Sequence, residues 1–322
     1  MSAQPKISII TPSFNQGHYI EETILSIIGQ GYANLEYIII DGGSTDNTVE
    51  VIKKYASKIT YWVSEKDKGQ SDAINKGLKM ATGDIVAWLN SDDVYEPGVL
   101  QTIADAFAAN PKAGIVYGDV ESFFPDGRTE LWINNFEPAD FFRRVSIHQP
   151  AVFWKRELHE TFGYIDESFY YLMDYDFWAR IFFNVPSQRI SKTLSRFRVH
   201  DSAKTGKNPI GLYDDYRRVI SRIARSLPNG KLLAQLKQLK VYHNPEDAFY
   251  PAYAAWPKEQ EAKLLQEYLN SYIEQEYTRG RIANTNRLII QSLGEGYLLG
   301  KLKTLVKNNL GIGKIKHAPH AQ

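Results

Sequence analysis

The sequence predicts an α/β protein: a mostly parallel sheet flanked by helices, followed by a mainly helical C-terminal region. Three observations carry that expectation. Residues 1–120 alternate short apolar runs with segments of helical spacing, the pattern of a parallel sheet covered on both faces. From about residue 125 the alternation gives way to aromatic-rich segments. After Pro209 the chain reads almost entirely as helix, which places a boundary near 205–210.

Taken in order, Lys6–Thr11 is a short apolar strand, and Tyr19–Gln30 has helical spacing through Ile20, Ile24, Ile27 and Ile28. Leu35–Ile40 is a second strand ended by Asp41-Gly42-Gly43. Ser44, Thr45 and Asp46 then offer N-caps for a helix through Val49, Val51 and Ile52. Ile59–Val63 is a third strand and Ser71–Ala81 a helix closed by Gly83. Asp84–Leu89 is a fourth strand, Pro97–Ala109 a helix and Gly114–Phe124 a fifth strand. Beyond them Asp174–Phe183 reads as helix and Arg189–Val199 as strand. Leu212–Leu227, Lys231–Val241 and Lys258–Glu276 are helical, interrupted by a Pro- and aromatic-rich joint at His243–Pro257.

Composition narrows the classes. With 322 residues, 43% hydrophobic, the chain can bury a full core. It has no cysteine, which excludes disulfides and thiolate metal sites and fits a reducing compartment. No signal segment precedes the first strand, and no run approaches the roughly 18 apolar residues that span a bilayer. A soluble cytoplasmic protein is expected. The net charge of +1 hides an asymmetry. Residues 1–210 carry 21 Lys and Arg against 27 Asp and Glu, whereas 211–322 carry 17 against 10. Two halves of opposite sign suggest two jobs.

Polar clusters follow the strands. They are Thr11-Pro12-Ser13-Phe14-Asn15, Asp41-Gly42-Gly43-Ser44, Lys66-Asp67-Lys68-Gly69-Gln70 and Asn90-Ser91-Asp92-Asp93. Ligands of open α/β sheets bind beyond the carboxyl ends of the strands, so the topology brings these remote stretches to one rim. Two adjacent carboxylates at the end of a buried strand, Asp92 and Asp93, repel each other and resist desolvation. A divalent cation held between them and a ligand's phosphates would remove that penalty. The bland reading of the pair is a solvated turn ahead of Pro97. The patterns GxxxxGK[ST] and GxGxxG are both missing, which excludes a P-loop NTPase and an ordinary NAD enzyme.

The stretches ISIITPSFNQGHYIEETILSI, LEYIIIDGGSTDNT, DKGQSDAINKGLKMATGDIVAWLNSDD, HQPAVFWKRE, YLMDYDFWARI and FRVHDSAKT, in that order, resemble a family 2 glycosyltransferase of the GT-A fold over roughly residues 5–205. The resemblance implies a catalytic domain at 1–208, with its nucleotide-sugar part at about 1–120 and its acceptor part at about 121–208. The helical region is then 209–322. It also implies roles. Thr11, Pro12 and Asn15 would lie along the nucleotide, and Asp41 would hydrogen-bond its base, usually uracil. Asn90-Ser91-Asp92 stands at the DxD motif, with Asp92 the retained metal ligand for Mn2+ or Mg2+ and His200 near the diphosphate or metal. Asp174 matches the general base that acts on the acceptor hydroxyl.

Two departures matter. Asn90 replaces the first DxD carboxylate, as a neutral ligand or an outer hydrogen-bond donor. Ile74 stands where an arginine often contacts the ligand, which leaves neutralisation of the diphosphate to Lys68, to Lys76 or to the metal alone. Asp72 is an extra rim carboxylate, grouped with the nucleotide-sugar residues but without an assigned role. Asp41 before two glycines also reads as a turn residue, and Asp174 and Asp176 both suit the first turn of a helix. Only the resemblance selects Asp174. His148 and Gln149 are acceptor candidates or structural residues. The aromatics Trp154, Phe169, Tyr170, Tyr171, Phe177 and Trp178 read as core, with one or two left open as a platform for an acceptor ring.

One base without a carboxylate nucleophile implies inverting transfer from a nucleotide diphosphate sugar, of UDP type, to a glycan or lipid-linked saccharide. Two alternatives stay open. One is a sugar-nucleotide or glycan-binding subunit that has lost catalysis, which Asn90 keeps alive. The other is a sugar nucleotidyltransferase, although TPSFNQGHY lacks the Gly-rich basic loop that it would need. No nucleic-acid partner is expected, and a homo-oligomer is left open. Residues 288–316 mix apolar residues with Lys301, Lys303, Lys307, Lys314 and Lys316. They read either as a helix packing on protein, slightly favoured, or as a basic segment lying peripherally on the inner membrane face.

Overall fold

The computed structural model describes residues 4–201, 203–204, 209–227, 230–243, 260–281, 283–285 and 287–289. Nearly all of the basic segment and the joint before Lys258 lie outside these residues.

The elements run β1 (Ile7–Ser13), α1 (Ile20–Ile28), β2 (Leu35–Asp41), α2 (Thr48–Lys54), β3 (Tyr61–Ser64), α3 (Gln70–Met80), β4 (Ile85–Trp88), β5 (Val94–Tyr95), α4 (Val99–Ala109) and β6 (Ile115–Phe123). Then follow β7 (Thr129–Trp132), α5 (Pro138–Phe141), β8 (Val152–Lys155), α6 (Glu157–Phe162), α7 (Met173–Ile181), β9 (Ser187–Arg198), α8 (Pro209–Ser226), α9 (Lys231–Gln238) and α10 (Glu261–Thr278). The sheet order is β3-β2-β1-β4-β8-β6-β9-β5, with β7 paired to β6. The first four strands in that order are parallel, as expected. Further along, β8 is antiparallel to both β4 and β6, β6 and β9 are parallel, and β5 is antiparallel to β9. The sheet is therefore parallel on one side and mixed on the other.

Packing explains why the rim is stable. Every residue of β1 and β4 is buried, so both strands are covered on both faces. Gly77 lets α3 lie close on β1, since a Cβ there would stand 2.4 Å from Ile10 Cγ2. Beneath the rim, Trp88 at the end of β4 stacks on Trp178 of α7 with ring centroids 5.7 Å apart. Trp154 of β8 meets both rings edge-on at 5.5 and 5.7 Å. Three buried indoles thus lock the end of β4 to α7 before either meets solvent.

The helices behind are tied on by buried charge. Arg222 of α8 donates to Asp176 of α7 at 2.8 Å and to Asp166 at 2.7 Å, and Arg217 of α8 donates to Glu276 of α10 at 2.8 Å. The start of α2 differs from the expectation in detail. Asn47 holds the cap position, and the Asp46 carboxylate accepts the Thr48 N–H at 3.0 Å, so only Asp46 of the three candidates caps the turn. Among the described residues no helix is long and apolar enough to cross a membrane.

Candidate active site

The parallel register brings the strand ends level: Ser13 of β1 pairs with Asp41 of β2, which pairs with Ser64 of β3. Asp41 is fully buried, and its carboxylate is surrounded by donors. Oδ2 accepts from Ser64 Oγ at 2.6 Å, Ser44 N at 2.9 Å and Gly43 N at 3.2 Å, while Oδ1 accepts from Ser44 Oγ at 2.5 Å. Gly43 turns at φ +83°, in the left-handed region, which aims its N–H back at the carboxylate. Asn15 lies across this loop: its N–H donates to Ser44 Oγ at 2.7 Å and its Oδ1 accepts the Thr45 N–H at 2.9 Å. Of the three residues expected along the nucleotide, only Asn15 is exposed. Thr11 is buried and accepts a hydrogen bond from Tyr37 Oη at 3.2 Å, and Pro12 is buried in β1.

The two acidic neighbours after β4 part company. Asp92 turns outward, with Oδ2 3.1 Å from His200 Nε2. Asp93 is buried; burial, and then the charge of Asp92, push its carboxyl well above the ordinary range, although Arg198 N–H donates to it at 3.1 Å. The repulsion that the sequence raises is relieved because the inner carboxyl favours its neutral form. Arg198 secures the turn by donating from Nε to the Asp92 carbonyl at 3.0 Å and from its guanidinium to Glu22.

Asn90 lies at the centre of an amide chain. Its Oδ1 accepts from Gln70 Nε2 at 2.9 Å, and its Nδ2 donates towards Gln149 Oε1 at 3.3 Å and Asp93 Oδ2 at 3.4 Å. Gln149 in turn donates to the Trp88 carbonyl at 2.6 Å. Ser91 is buried behind this chain. From Gln70, the first residue of α3, the chain continues to Lys204, whose ammonium donates to Gln70 Oε1 at 3.3 Å.

Asp174 sits in the first turn of α7. That turn is fixed on two sides: Met173 Sδ accepts from Ser71 Oγ of α3 at 2.8 Å, and Asp215 Oδ2 of α8 accepts the Tyr171 and Leu172 N–H groups at 2.7 and 3.2 Å. Asp174 is half-buried, accepts Tyr175 N–H at 2.8 Å and makes no salt bridge with a described residue. Burial pushes its carboxyl up to about 6. Its own and Tyr175's N–H groups and the Lys204 charge oppose that shift, and Asp215 adds to it. Asp176, two residues on, is buried in ion pairs with Arg222 and Arg180. The geometry separates the two carboxylates that the sequence could not.

Contacts thus link the polar clusters. Asp41 joins β3 through Ser64, α3 joins Asn90 through Gln70 and α7 through Ser71, and the Asp92 turn reaches His200. Other candidates hold structural positions. His148 contacts the Asn134 Oδ1 through its N–H at 2.8 Å and its Nδ1 at 2.7 Å, and it packs on Trp132. Burial and then Arg144 push it down to about 4, so it is neutral at ordinary pH. Asp72 accepts the Lys68 N–H at 3.1 Å and faces Lys76 at 3.6 Å, which closes the turn before α3. The Lys68 side chain is exposed. Sequence reasoning did not single out Gln70, Lys204 or Arg198, although all three fall within or beside the quoted motifs.

For a metal, the rim offers one carboxylate and one imidazole side by side, Asp92 and His200. Among the described residues no group of three or more His, Cys, Asp or Glu could hold an ion alone. Magnesium- and manganese-type ions commonly take one or two carboxylates and complete their shell with phosphate oxygens and water. The donor set therefore fits an ion that a ligand's diphosphate completes.

The fold is of GT-A type. The chain belongs to glycosyl transferase family 2, whose family model matches residues 8–173. It is similar to the PGL/p-HBAD biosynthesis glycosyltransferase of Mycobacterium bovis, 32% identical over 187 residues, 56% of this chain and 72% of that protein. Its fold matches S. aureus TarS 1–349 in complex with UDP-GlcNAc with a TM-score of 0.58 at 18% identity, covering 84% of this chain and 73% of that one. It spans 43% of a longer TarS chain. It also matches the mannosyltransferase PcManGT from Pyrobaculum calidifontis in complex with GDP-Man and Mn2+ with a TM-score of 0.54 at 19% identity, covering 97% and 82%.

Proposed function

We propose that the protein transfers a sugar from a UDP-sugar to a hydroxyl of a glycan or lipid-linked saccharide, with inversion at the anomeric carbon. The observation that carries this reading is Asp174: a carboxylate free of salt bridges with described residues, raised to about 6, within reach of the Lys204 charge, from which the Gln70–Asn90 amide chain runs to Gln149 and Asp93. A base works best with a pKa near the working pH. Asp174 takes the proton of the acceptor hydroxyl. The acceptor oxygen bonds to the anomeric carbon from the face opposite the diphosphate, and the bond from that carbon to the phosphate oxygen breaks, its electron pair leaving with the nucleotide diphosphate. A single displacement inverts the configuration.

Asp92 and His200 hold a divalent cation, Mn2+ or Mg2+, which when bound neutralises charge on the leaving diphosphate. Lys204 and the Gln70 and Asn90 amides border the same space and orient the donor. Asp41 fixes the loop of Ser44 and Asn15 against the nucleoside. The TarS complex with UDP-GlcNAc and the PcManGT complex with GDP-Man and Mn2+ support a nucleotide-sugar donor and a metal.

The test is a thermal-shift and calorimetric screen of UDP, GDP, dTDP and CMP, each with and without manganese. Expected is a rise in melting temperature with UDP that grows with manganese and with concentration. No shift with any nucleotide would remove the donor reading. A subunit that binds donor without turnover is the second reading, favoured by Asn90 in place of a carboxylate; it predicts the same shifts with no transfer.

A further inference from the structure

The sequence leaves six aromatic side chains open as an acceptor platform, and five of them are committed to packing. Trp154, Phe169, Phe177 and Trp178 are buried, and Tyr171 packs partly buried against the core. Tyr170 alone of the six stands out, 62% exposed. Exposure by itself means little, since single apolar side chains are common on surfaces. What distinguishes Tyr170 is how firmly its ring is placed. The Lys204 ammonium lies over the ring, 4.0 Å from its centroid. Tyr171 abuts it at 81° with centroids 4.7 Å apart. The backbone just after it is clamped by the two bonds to Asp215.

The same Lys204 donates to Gln70, which donates to Asn90. One cation therefore touches both the donor-side amides and the ring that precedes Asp174 by four residues. A rigid aromatic next to a few polar groups is the usual design of a small-molecule site. A pyranose suits it: its C–H face is apolar and packs on an aromatic ring, while its hydroxyls point outward to carboxylates and ammonium groups.

Resting on the glycosyltransferase reading above, we propose that Tyr170 is the platform of the acceptor subsite. It takes a pyranose ring of the saccharide acceptor on its exposed surface, beside Lys204, while Asp174 meets a hydroxyl. The donor sugar is not its ligand. Stacking needs the ring and not the phenol hydroxyl, so Tyr170→Phe should retain the function and Tyr170→Ala should lose it.

The experiment uses the full chain as wild type, Tyr170→Phe and Tyr170→Ala. Saturation-transfer NMR is recorded with the methyl pyranosides of glucose, galactose, mannose and N-acetylglucosamine. Melting temperatures are followed in parallel, alone and with UDP-sugars and manganese. Expected is transfer to the ring C–H protons of at least one glycoside in wild type and Tyr170→Phe, and affinity weakened about three- to tenfold in Tyr170→Ala. The nucleotide-sugar shift should be equal in all three proteins. Equal glycoside signals in wild type and Tyr170→Ala, or none in wild type, overturn the platform while a surviving nucleotide-sugar shift leaves the enzyme reading standing. No nucleotide-sugar shift in any protein overturns both.

Discussion

Two carboxylates, Glu36 at the amino-terminal edge of the parallel sheet and Asp174 at its carboxyl-terminal rim, are treated in opposite ways. At the amino-terminal edge, Glu36 of β2 is saturated: it accepts from Lys6 Nζ and Thr82 Oγ1 at 2.6 Å, Thr82 N at 2.7 Å and Ser8 Oγ at 2.5 Å. Burial alone would raise this carboxyl, but the bonds from Lys6, Ser8 and Thr82 outweigh it and pull it down to about 2. At the carboxyl-terminal rim Asp174 has backbone donors only, and burial wins, raising it to about 6. The same chemistry thus gives a permanent anion where donors outweigh burial and a carboxyl raised to about 6 where burial outweighs the donors. The difference is the number of partners, and spare lone pairs are what a substrate hydroxyl requires.

That contrast breaks most sharply by mutation. Asp174→Asn should lower kcat about 10²–10⁴-fold, the usual contribution of a positioned base, with UDP binding kept. Full-rate transfer by the variant, measured by UDP release with a saccharide acceptor, would remove the base assignment. Glu36→Ala should leave transfer per folded molecule intact but cost about 3 kcal/mol of stability, because four donor groups on three residues lose a buried partner. The sign follows from a pKa lowered from 4.5 to about 2: the stabilisation is present above pH 4.5 and lost as pH falls towards 2. Urea unfolding of wild type and variant at pH 7 and pH 3 should show the gap narrow on acidification.

Asp174→Asn should also stabilise the fold. Its carboxyl is raised from 3.8 to about 6, so ionising it at pH 7 opposes folding. The partial exposure of the group screens this to about 1 kcal/mol. Urea midpoints at pH 7 should rise in the variant, and at pH 4 the two proteins should coincide. A variant less stable at pH 7 would show that Asp174 is held by partners, as Glu36 is.

The pattern of legibility follows the same physics. Strands β1, β2 and β4 and helices α1, α3 and α4 were readable because their apolar periodicity is strong and local. The residues that end those strands, Asp41 and Asn90, were readable with them. The short elements β5, β7, β8, α5 and α6 were not, since two to six residues take their conformation from the partners they pair with. Asp174 and Asp176 look alike in sequence, and the distinction comes from Arg222, 46 residues further along the chain. Gln70 and Lys204 lie 134 residues apart and meet only in the folded chain, so no local signal marks them as a pair. His148 reads equally as an acceptor or a structural residue in sequence, and only the fold shows its ring against Asn134 and Trp132.

Lys204 sharpens the comparison where Glu36 and Asp174 bound it. Glu36 owns its lysine through a 2.6 Å contact, whereas Lys204 acts on Asp174 through its charge and is shared with Gln70, Tyr170 and Asp215. Burial holds the Lys204 ammonium below its ordinary pKa, and the charges of Asp174 and Asp215 counter that. Its positive charge lowers Asp174, so Lys204→Met should raise the Asp174 carboxyl above about 6. A base is active when deprotonated, so the acidic limb of kcat/KM against pH should move to higher pH, by about half a unit for a partly solvated pair. Lys204→Arg keeps the charge and should leave the limb in place. Asp215 is tied to the Tyr171 and Leu172 N–H groups, so a limb that moves in the methionine variant alone assigns the shift to Lys204 acting on Asp174. An unmoved limb would mean that the ammonium serves the donor side only, and Asp174 would then owe its raised value to burial and Asp215 without a counterweight.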